Sequence, residues 1–238
     1  MKTILKISRL SKKFGRTRVL DGFTMKLEKG KIHGLIGKNG EGKTTLIRII
    51  MGVIPKESGE IIYKGRPVHF RDASYKKEIG CIAEDSIFFD WMNVDQFLAF
   101  NSAFYPRWNQ SQADDYLKRL SLNPGIRIKT MSRGMKLKLG LVAALASNPK
   151  ILLLDDPTSG LDVPTRQDFL HHMLEEIKGK GTTILFASHM VHELENIIQR
   201  LSILHKGRLI LDEDFREIKK SQGKKHSLEE IFLKNVSK

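Results

Sequence analysis

Short apolar runs separated by turn residues open the chain. Between Thr3 and about Tyr63 they alternate with turns such as Glu28-Lys29-Gly30 and Ser58-Gly59, the pattern of antiparallel strands. Within that stretch Ile32–Ile36 is a short, mostly apolar strand, and Thr44–Met51 has helical character and ends near Gly52. From roughly Asp85 to Asn148 the pattern becomes helical. Val94–Phe104 and Gln112–Leu122 are the expected helices, with breaks at Tyr105-Pro106-Arg107 and Asn123-Pro124-Gly125. From Lys150 to about Leu211 strands and helices alternate again. Ile151–Leu154 is four large apolar residues in a row, as in a parallel strand buried on both faces. Thr183–Ala187 is a second apolar strand, and Pro164 is placed to start a helix after Asp162. The expectation is one α/β domain over residues 1–238. Its core comes from residues 1–84 and 149–215, a helical subdomain from 85–148, and a short basic tail from 216–238.

Chemistry enters at the loop between Ile36 and Thr44. Gly37-Lys38-Asn39-Gly40-Glu41-Gly42-Lys43-Thr44-Thr45 has the spacing of a phosphate-binding loop, with the strand before it and the helix after it that such a loop requires. Glycines at 37, 40 and 42 let the backbone turn tightly, so that successive N–H groups face a β-phosphate. The N-terminus of the following helix adds favourable partial charge. Lys43 reaches the β- and γ-phosphates as a point charge, and the Thr44 hydroxyl is placed to ligate Mg²⁺. Glu41 is unusual inside such a loop, and its side chain is expected to point away from the phosphates. Asp155 and Asp156 end the apolar run Ile151–Leu154, where α/β folds bind their ligands. Asp155 is expected in the Mg²⁺ shell. Asp156 is expected beside the γ-phosphate, orienting or deprotonating the attacking water.

Taken in order, the loop GKNGEGKTT, the segment Ser132–Met135 (SRGM), the run Ile151–Asp162 (ILLLDDPTSGLD) and a lone His189 after the strand Thr183–Ala187 resemble the ATP-binding subunit of an ABC transporter. The resemblance covers nearly all of the chain. It implies a P-loop NTPase (RecA-like) core with an antiparallel β subdomain and an inserted α-helical subdomain. It also implies ATP and Mg²⁺ as cofactors, and two cassettes, identical or not, closing head to tail on two MgATP. By that resemblance Phe14 stacks on adenine, and Ser132 and Gly134 contact the γ-phosphate of the partner's ATP. Asp162 belongs to the loop that crosses the dimer interface, and His189 hydrogen-bonds the γ-phosphate. Taken by itself, an isolated aromatic such as Phe14 is more often a core residue than a base platform.

Three departures stand out. Asp156 occupies a position where the family has glutamate, which withdraws the carboxylate by roughly 1.5 Å, and misplacement of about 1 Å can cost about 10²-fold in rate. Hydrolysis that is slow, or that occurs mainly in a partner's site, with intact ATP binding is therefore expected. Glu84 stands where the family has glutamine. It can still serve Mg²⁺, which favours oxygen ligands, or it is a surface acid in a turn. MSRGM replaces LSGGQ, keeping the serine and the second glycine, and Arg133 faces either the partner's phosphate or solvent. These changes resemble the branch of bacterial exporters and drug- or peptide-resistance systems. Phe88, Phe89, Trp91 and Met92 follow Glu84 and form either a docking surface for a partner or the helical insert's own small core.

Composition narrows the partners. With 238 residues and a single cysteine, the chain has no internal disulfide framework, and Cys81, within IGCIA, reads as a buried structural thiol. The N-terminal MKTILKISRL is too short and too interrupted by lysine for a signal peptide. No apolar stretch approaches the roughly 20 residues that span a bilayer. A cytoplasmic protein, peripheral on the membrane face, is expected, with another chain forming the membrane-spanning transporter subunits. The formal charge of +14 exceeds what ATP requires. It is spread over Lys12-Lys13, Arg16, Arg18, Lys76-Lys77, Lys136, Lys138, Lys219-Lys220 and Lys224-Lys225. Such charge suits an anionic membrane face, nucleic acid, or simple solvation. No nucleic acid is expected as a partner, because translation-type relatives pair two such domains in one chain and chromosome-type relatives carry long coiled coils. The alternatives are a soluble ATPase acting on ribosomes or DNA and a regulatory ATP-binding subunit with weak turnover.

Overall fold

A computed structural model describes the chain except for residues 1, 85, 87, 178, 222–226 and 237–238 and the side chain of Glu193. Asp85, the expected start of the helical insert, and Lys224-Lys225 of the basic tail lie outside the described residues. Two compact units emerge, Met1–Lys76 with Thr183–Lys238, and Lys77–Thr182.

The first unit contains an antiparallel sheet and a mostly parallel one. β1 (Thr3–Phe14) lies between β2 (Thr17–Glu28) and β4 (Ser58–Tyr63), with Leu5 opposite Leu27 and Tyr63 and Ile7 opposite Met25 and Ile61. A short β5 (Arg66–Pro67) completes that sheet. Its apolar residues Leu5, Ile7, Leu10, Leu20, Phe23 and Met25 are all buried. In the other sheet β3 (Ile32–Ile36) is central, parallel to both β8 (Thr183–Ser188) and β9 (Arg200–His205). β9 pairs in turn with the antiparallel β10 (Arg208–Asp214). α1 (Lys43–Ile50) follows β3 and buries Leu46, Ile47, Ile49 and Ile50 on one side. The basic tail carries α7 (Phe215–Ser221) and α8 (Leu228–Val236), and α8 buries Leu228, Ile231 and Phe232. The short α6 (Val191–Leu194) follows β8.

The second unit pairs β6 (Ile79–Ala83) in parallel with β7 (Ile151–Asp155), Ala83 opposite Asp155. β7 is buried along its whole length, as four apolar residues in a row predict. Helices make up the rest: α2 (Val94–Ser102), α3 (Gln110–Arg119), α4 (Arg133–Ala146) and α5 (Val163–Ile177). α2 starts where expected because Asn93 and Gln96 form a reciprocal capping box. α3 starts two residues earlier than its apolar spacing predicts, since the Asn109 side chain accepts the Gln112 N–H at 3.0 Å. It stops earlier as well, before Ser121, whose φ of 54° cannot continue a helix. Among the described residues no helix is long and apolar enough to cross a membrane.

Candidate functional site

In the first unit, Ile36 and Ser188 are register partners at the carboxyl ends of β3 and β8. Gly37 and His189 therefore leave the sheet side by side. The loop after Ile36 cannot accept side chains at its turning points. Gly42 has φ 109°, and a Cβ there would stand 2.9 Å from the Val19 carbonyl oxygen. A Cβ on Gly37 would lie 2.8 Å from the Leu204 carbonyl oxygen. Lys38, Asn39 and Gly40 are exposed at the tip. Thr44 and Thr45 are both half-buried in the first turn of α1. No acidic residue occupies that turn, and no side chain caps it. An anion thus meets open N–H groups and a helix N-terminus rather than a competing carboxylate.

Lys43 is only 4 % exposed. Its Nζ donates to the carbonyl oxygens of Gly37 at 2.9 Å and Lys38 at 3.3 Å. A buried ammonium curled over its own loop is a charge already desolvated and aimed where phosphate oxygens would lie. Glu41 turns the other way. Its Oε1 is 3.1 Å from His205 Nδ1, and its Oε2 accepts the Lys206 N–H, so the carboxylate is held by the β9–β10 turn. Nothing in the sequence pointed to His205, Lys206 or the Val19 carbonyl as supports of this loop, because each acts from a distant strand. Phe14, at the end of β1, is 51 % exposed, with Lys12 Nζ 5.2 Å from its ring centroid. It is a surface aromatic rather than a core residue. His189 is exposed, in the middle of a turn in which Met190 N–H donates to Ser188 Oγ.

In the second unit the register of β6 and β7 brings Glu84 beside the two aspartates. Glu84 N–H donates to the Asp155 carbonyl at 2.9 Å, and the Glu84 side chain is exposed. Asp155 and Asp156 are 2 % and 7 % exposed. Asp156 adopts φ 43°, a left-handed conformation that aspartate tolerates better than most residues. Ser132 caps α4, its Oγ accepting the Met135 N–H at 3.2 Å. Gly134 lies in the same first turn, where a Cβ would come within 2.8 Å of Thr165 Cγ2. Asp162 caps α5: Oδ1 accepts the Thr165 N–H and Oδ2 the Thr165 hydroxyl, both at 2.9 Å, and these bonds hold its carboxyl below the usual carboxylate range. Arg133 approaches Glu84 at 3.6 Å rather than facing solvent alone.

The aromatic residues after Glu84 differ in their surroundings. Phe88 packs on the buried Phe97, with ring centroids 5.3 Å apart. Phe89, Trp91, Phe100 and Phe104 form a connected series of ring contacts, of which Trp91 is 70 % exposed. Cys81 is half-buried rather than buried, because it lines a cavity of about 190 Å³ with Phe88, Phe97 and Tyr105.

A glycine-cornered loop with a buried lysine, opening a helix after a central parallel strand, and a pair of buried acids at the end of another define a P-loop nucleotide-binding protein of α/β architecture. The ABC transporter family model matches residues 20–159, more than half of the chain. The chain belongs to that family, as one of its ATP-binding subunits, and the general activity of the family's ATP-binding domain is ATP hydrolysis. It is 33 % identical to the lantibiotic transport ATP-binding protein SrtF of Streptococcus pyogenes, covering 98 % of this chain and 97 % of that one. It is 30 % identical to the bacitracin transport ATP-binding protein BcrA of Bacillus licheniformis, over 94 % of this chain and 74 % of that one. Among solved structures, an ATP-binding subunit of an ABC transporter superposes with a TM-score of 0.86 at 26 % identity, covering 98 % of this chain and 99 % of that one. The likeness to the drug- and peptide-resistance branch expected from the altered motifs is borne out by these relatives.

Proposed function

We propose that the chain binds MgATP at the loop Gly37–Thr45 and powers a membrane-spanning partner by closing head to tail on a second cassette, the same or a related one. The observation that carries this reading is the pairing of strand ends. β3 with β8 presents the loop beside His189, and β6 with β7 presents Glu84 beside Asp155 and Asp156. Lys43 neutralises phosphate charge, Asn39 and the glycine amides cradle the phosphates, and Thr45 adds a hydroxyl in the first helical turn. Phe14, exposed and flat, stacks on adenine. Ser132 and Gly134 present the N-terminus of α4 to the other cassette's γ-phosphate, and Asp162 orders the loop that meets that cassette.

Thr44, Glu84 and Asp155 are the oxygen donors assigned to Mg²⁺ by the family resemblance, and Glu84 and Asp155 stand side by side through the β6–β7 register. Bound there, Mg²⁺ offsets the charge of the β- and γ-phosphates. Asp156 takes the proton of the attacking water, and His189 holds the γ-phosphate in line. The helical segment 85–148 is the part that meets the transmembrane subunits, with the exposed Phe89–Trp91–Phe100–Phe104 series as its contact. The core formed by 1–84 and 149–215 does the nucleotide work at the cytoplasmic face of the membrane. Transport runs outward, the direction that the resemblance to the exporter and resistance branch implies. No feature favours nucleic acid as the partner.

Asp156 makes turnover slow. Steady-state ATP hydrolysis by the purified chain tests this directly: Asp156→Glu should be faster than the parent, and Lys43→Ala should be inactive. An Asp156→Glu variant no faster than the parent removes carboxylate reach as the limit on turnover.

A further inference from the structure

Glu84 and Arg133 are both charged residues at positions where the family resemblance has uncharged ones, and they meet in the second unit. Arg133 Nη2 lies 3.6 Å from Glu84 Oε1. The guanidinium also lies across Gly160, where a Cβ would stand 2.6 Å from Nη1 and 3.1 Å from Cζ. Three segments therefore converge on one side chain: the residue after β6, the first turn of α4 and the loop after β7. Lys136, the nearby cation on α4, is engaged by Asp90 at 3.4 Å.

We propose that Arg133 is a positioning residue that offsets the charge of Glu84, so that a carboxylate can stand beside MgATP where the family has a neutral amide. The inference rests on the reading that Glu84 serves the nucleotide bound by its own chain. A carboxylate next to a triphosphate is repelled by it. That repulsion grows as the nucleotide displaces water from the site. A guanidinium within 4 Å of the carboxylate cancels most of it and fixes its direction. The two side chains are about half exposed, 51 % and 52 %, so their pairing adds little to folding. Its effect falls on nucleotide affinity. The two residues should therefore behave as a unit, with the arginine needed only while the acid is present.

The test is a thermodynamic cycle on the full chain, with MgATP affinity measured by displacement of a fluorescent ATP analogue at protein concentrations too low for pairing. Residues in direct contact couple enough to change affinity by about tenfold. Arg133→Gln should weaken MgATP by about that factor. Arg133→Lys, and Arg133→Gln combined with Glu84→Gln, should both return to within about threefold of the parent. Glu84→Gln alone should change affinity less than Arg133→Gln does. If Arg133→Gln costs the same in the parent and in the Glu84→Gln background, or costs nothing, the inference is overturned while the nucleotide site stands. A parent chain that binds no MgATP overturns the reading of the site itself, and the inference with it.

Discussion

Alanine at Gly42 and alanine at Gly40 separate two costs that the phosphate loop imposes on its glycines. Both positions have positive φ, 109° and 83°, and an L-residue pays about 1–2 kcal/mol there whatever surrounds it. Their surroundings differ. A Cβ on Gly40 would meet nothing within 4 Å. A Cβ on Gly42 would press on the Val19 carbonyl oxygen at 2.9 Å and on Leu20 Cδ2 and Val19 Cγ1 at 3.1 Å. Leu20 is fully buried and Val19 is part of β2, so neither can swing aside as a surface side chain would. Overpacking of this kind costs about 1–3 kcal/mol. Gly42→Ala should therefore be less stable than Gly40→Ala by about that amount in urea unfolding without nucleotide. The loop, forced off β2, should also lose MgATP affinity by roughly tenfold or more relative to the parent. A Gly42→Ala protein as stable as Gly40→Ala would refute the reasoning, since the contact with Val19 would then not constrain the loop.

Three further outcomes are expected. Lys43→Ala should abolish MgATP binding in the displacement assay while leaving the circular dichroism spectrum unchanged, because it removes the ammonium that the loop carbonyls of Gly37 and Lys38 hold in place for the phosphates. Burial pushes the His33 imidazole down to about 4, below its ordinary 6.5. The unfolded chain takes up this proton first on acidification, so the His33 contribution is intact above about pH 6.5 and is lost as the pH falls toward 4. The loss is about 3 kcal/mol, and urea titrations of the parent and His33→Gln across that range should differ in slope accordingly. Trp91→Asp should leave the melting temperature within a few degrees, because the indole is 70 % exposed, yet weaken capture of the membrane partner; unfolding instead would make Trp91 a core residue.

Much of the fold was legible because single segments carried it. Four apolar residues before two aspartates specify a buried parallel strand wherever they occur, and β7 is that strand. The loop Gly37–Thr45 declares itself through glycine spacing alone. Helix boundaries were less legible, since Asn109 captures a backbone N–H that apolar periodicity does not register. The site's supports were the least legible. Glu41 could be expected to turn away from an anion, but the partners that hold it, His205 and the Lys206 N–H, lie 164 and 165 residues along the chain. The Arg133–Glu84 approach leaves one signal in the sequence, a pair of opposite charges at two altered motifs, and only the fold brings them within 3.6 Å. Asp162, expected at an interface by resemblance, also caps α5, a local role that its spacing to Thr165 could have revealed.

Co-purification tests the central claim most directly. The chain would be captured from detergent-solubilised native membranes, and the bound proteins and nucleic acids identified and quantified. A multi-spanning membrane protein recovered in stoichiometric amount, and reduced by Trp91→Asp, is the predicted result. Ribosomes or DNA recovered in its place, with no membrane protein, would contradict the account.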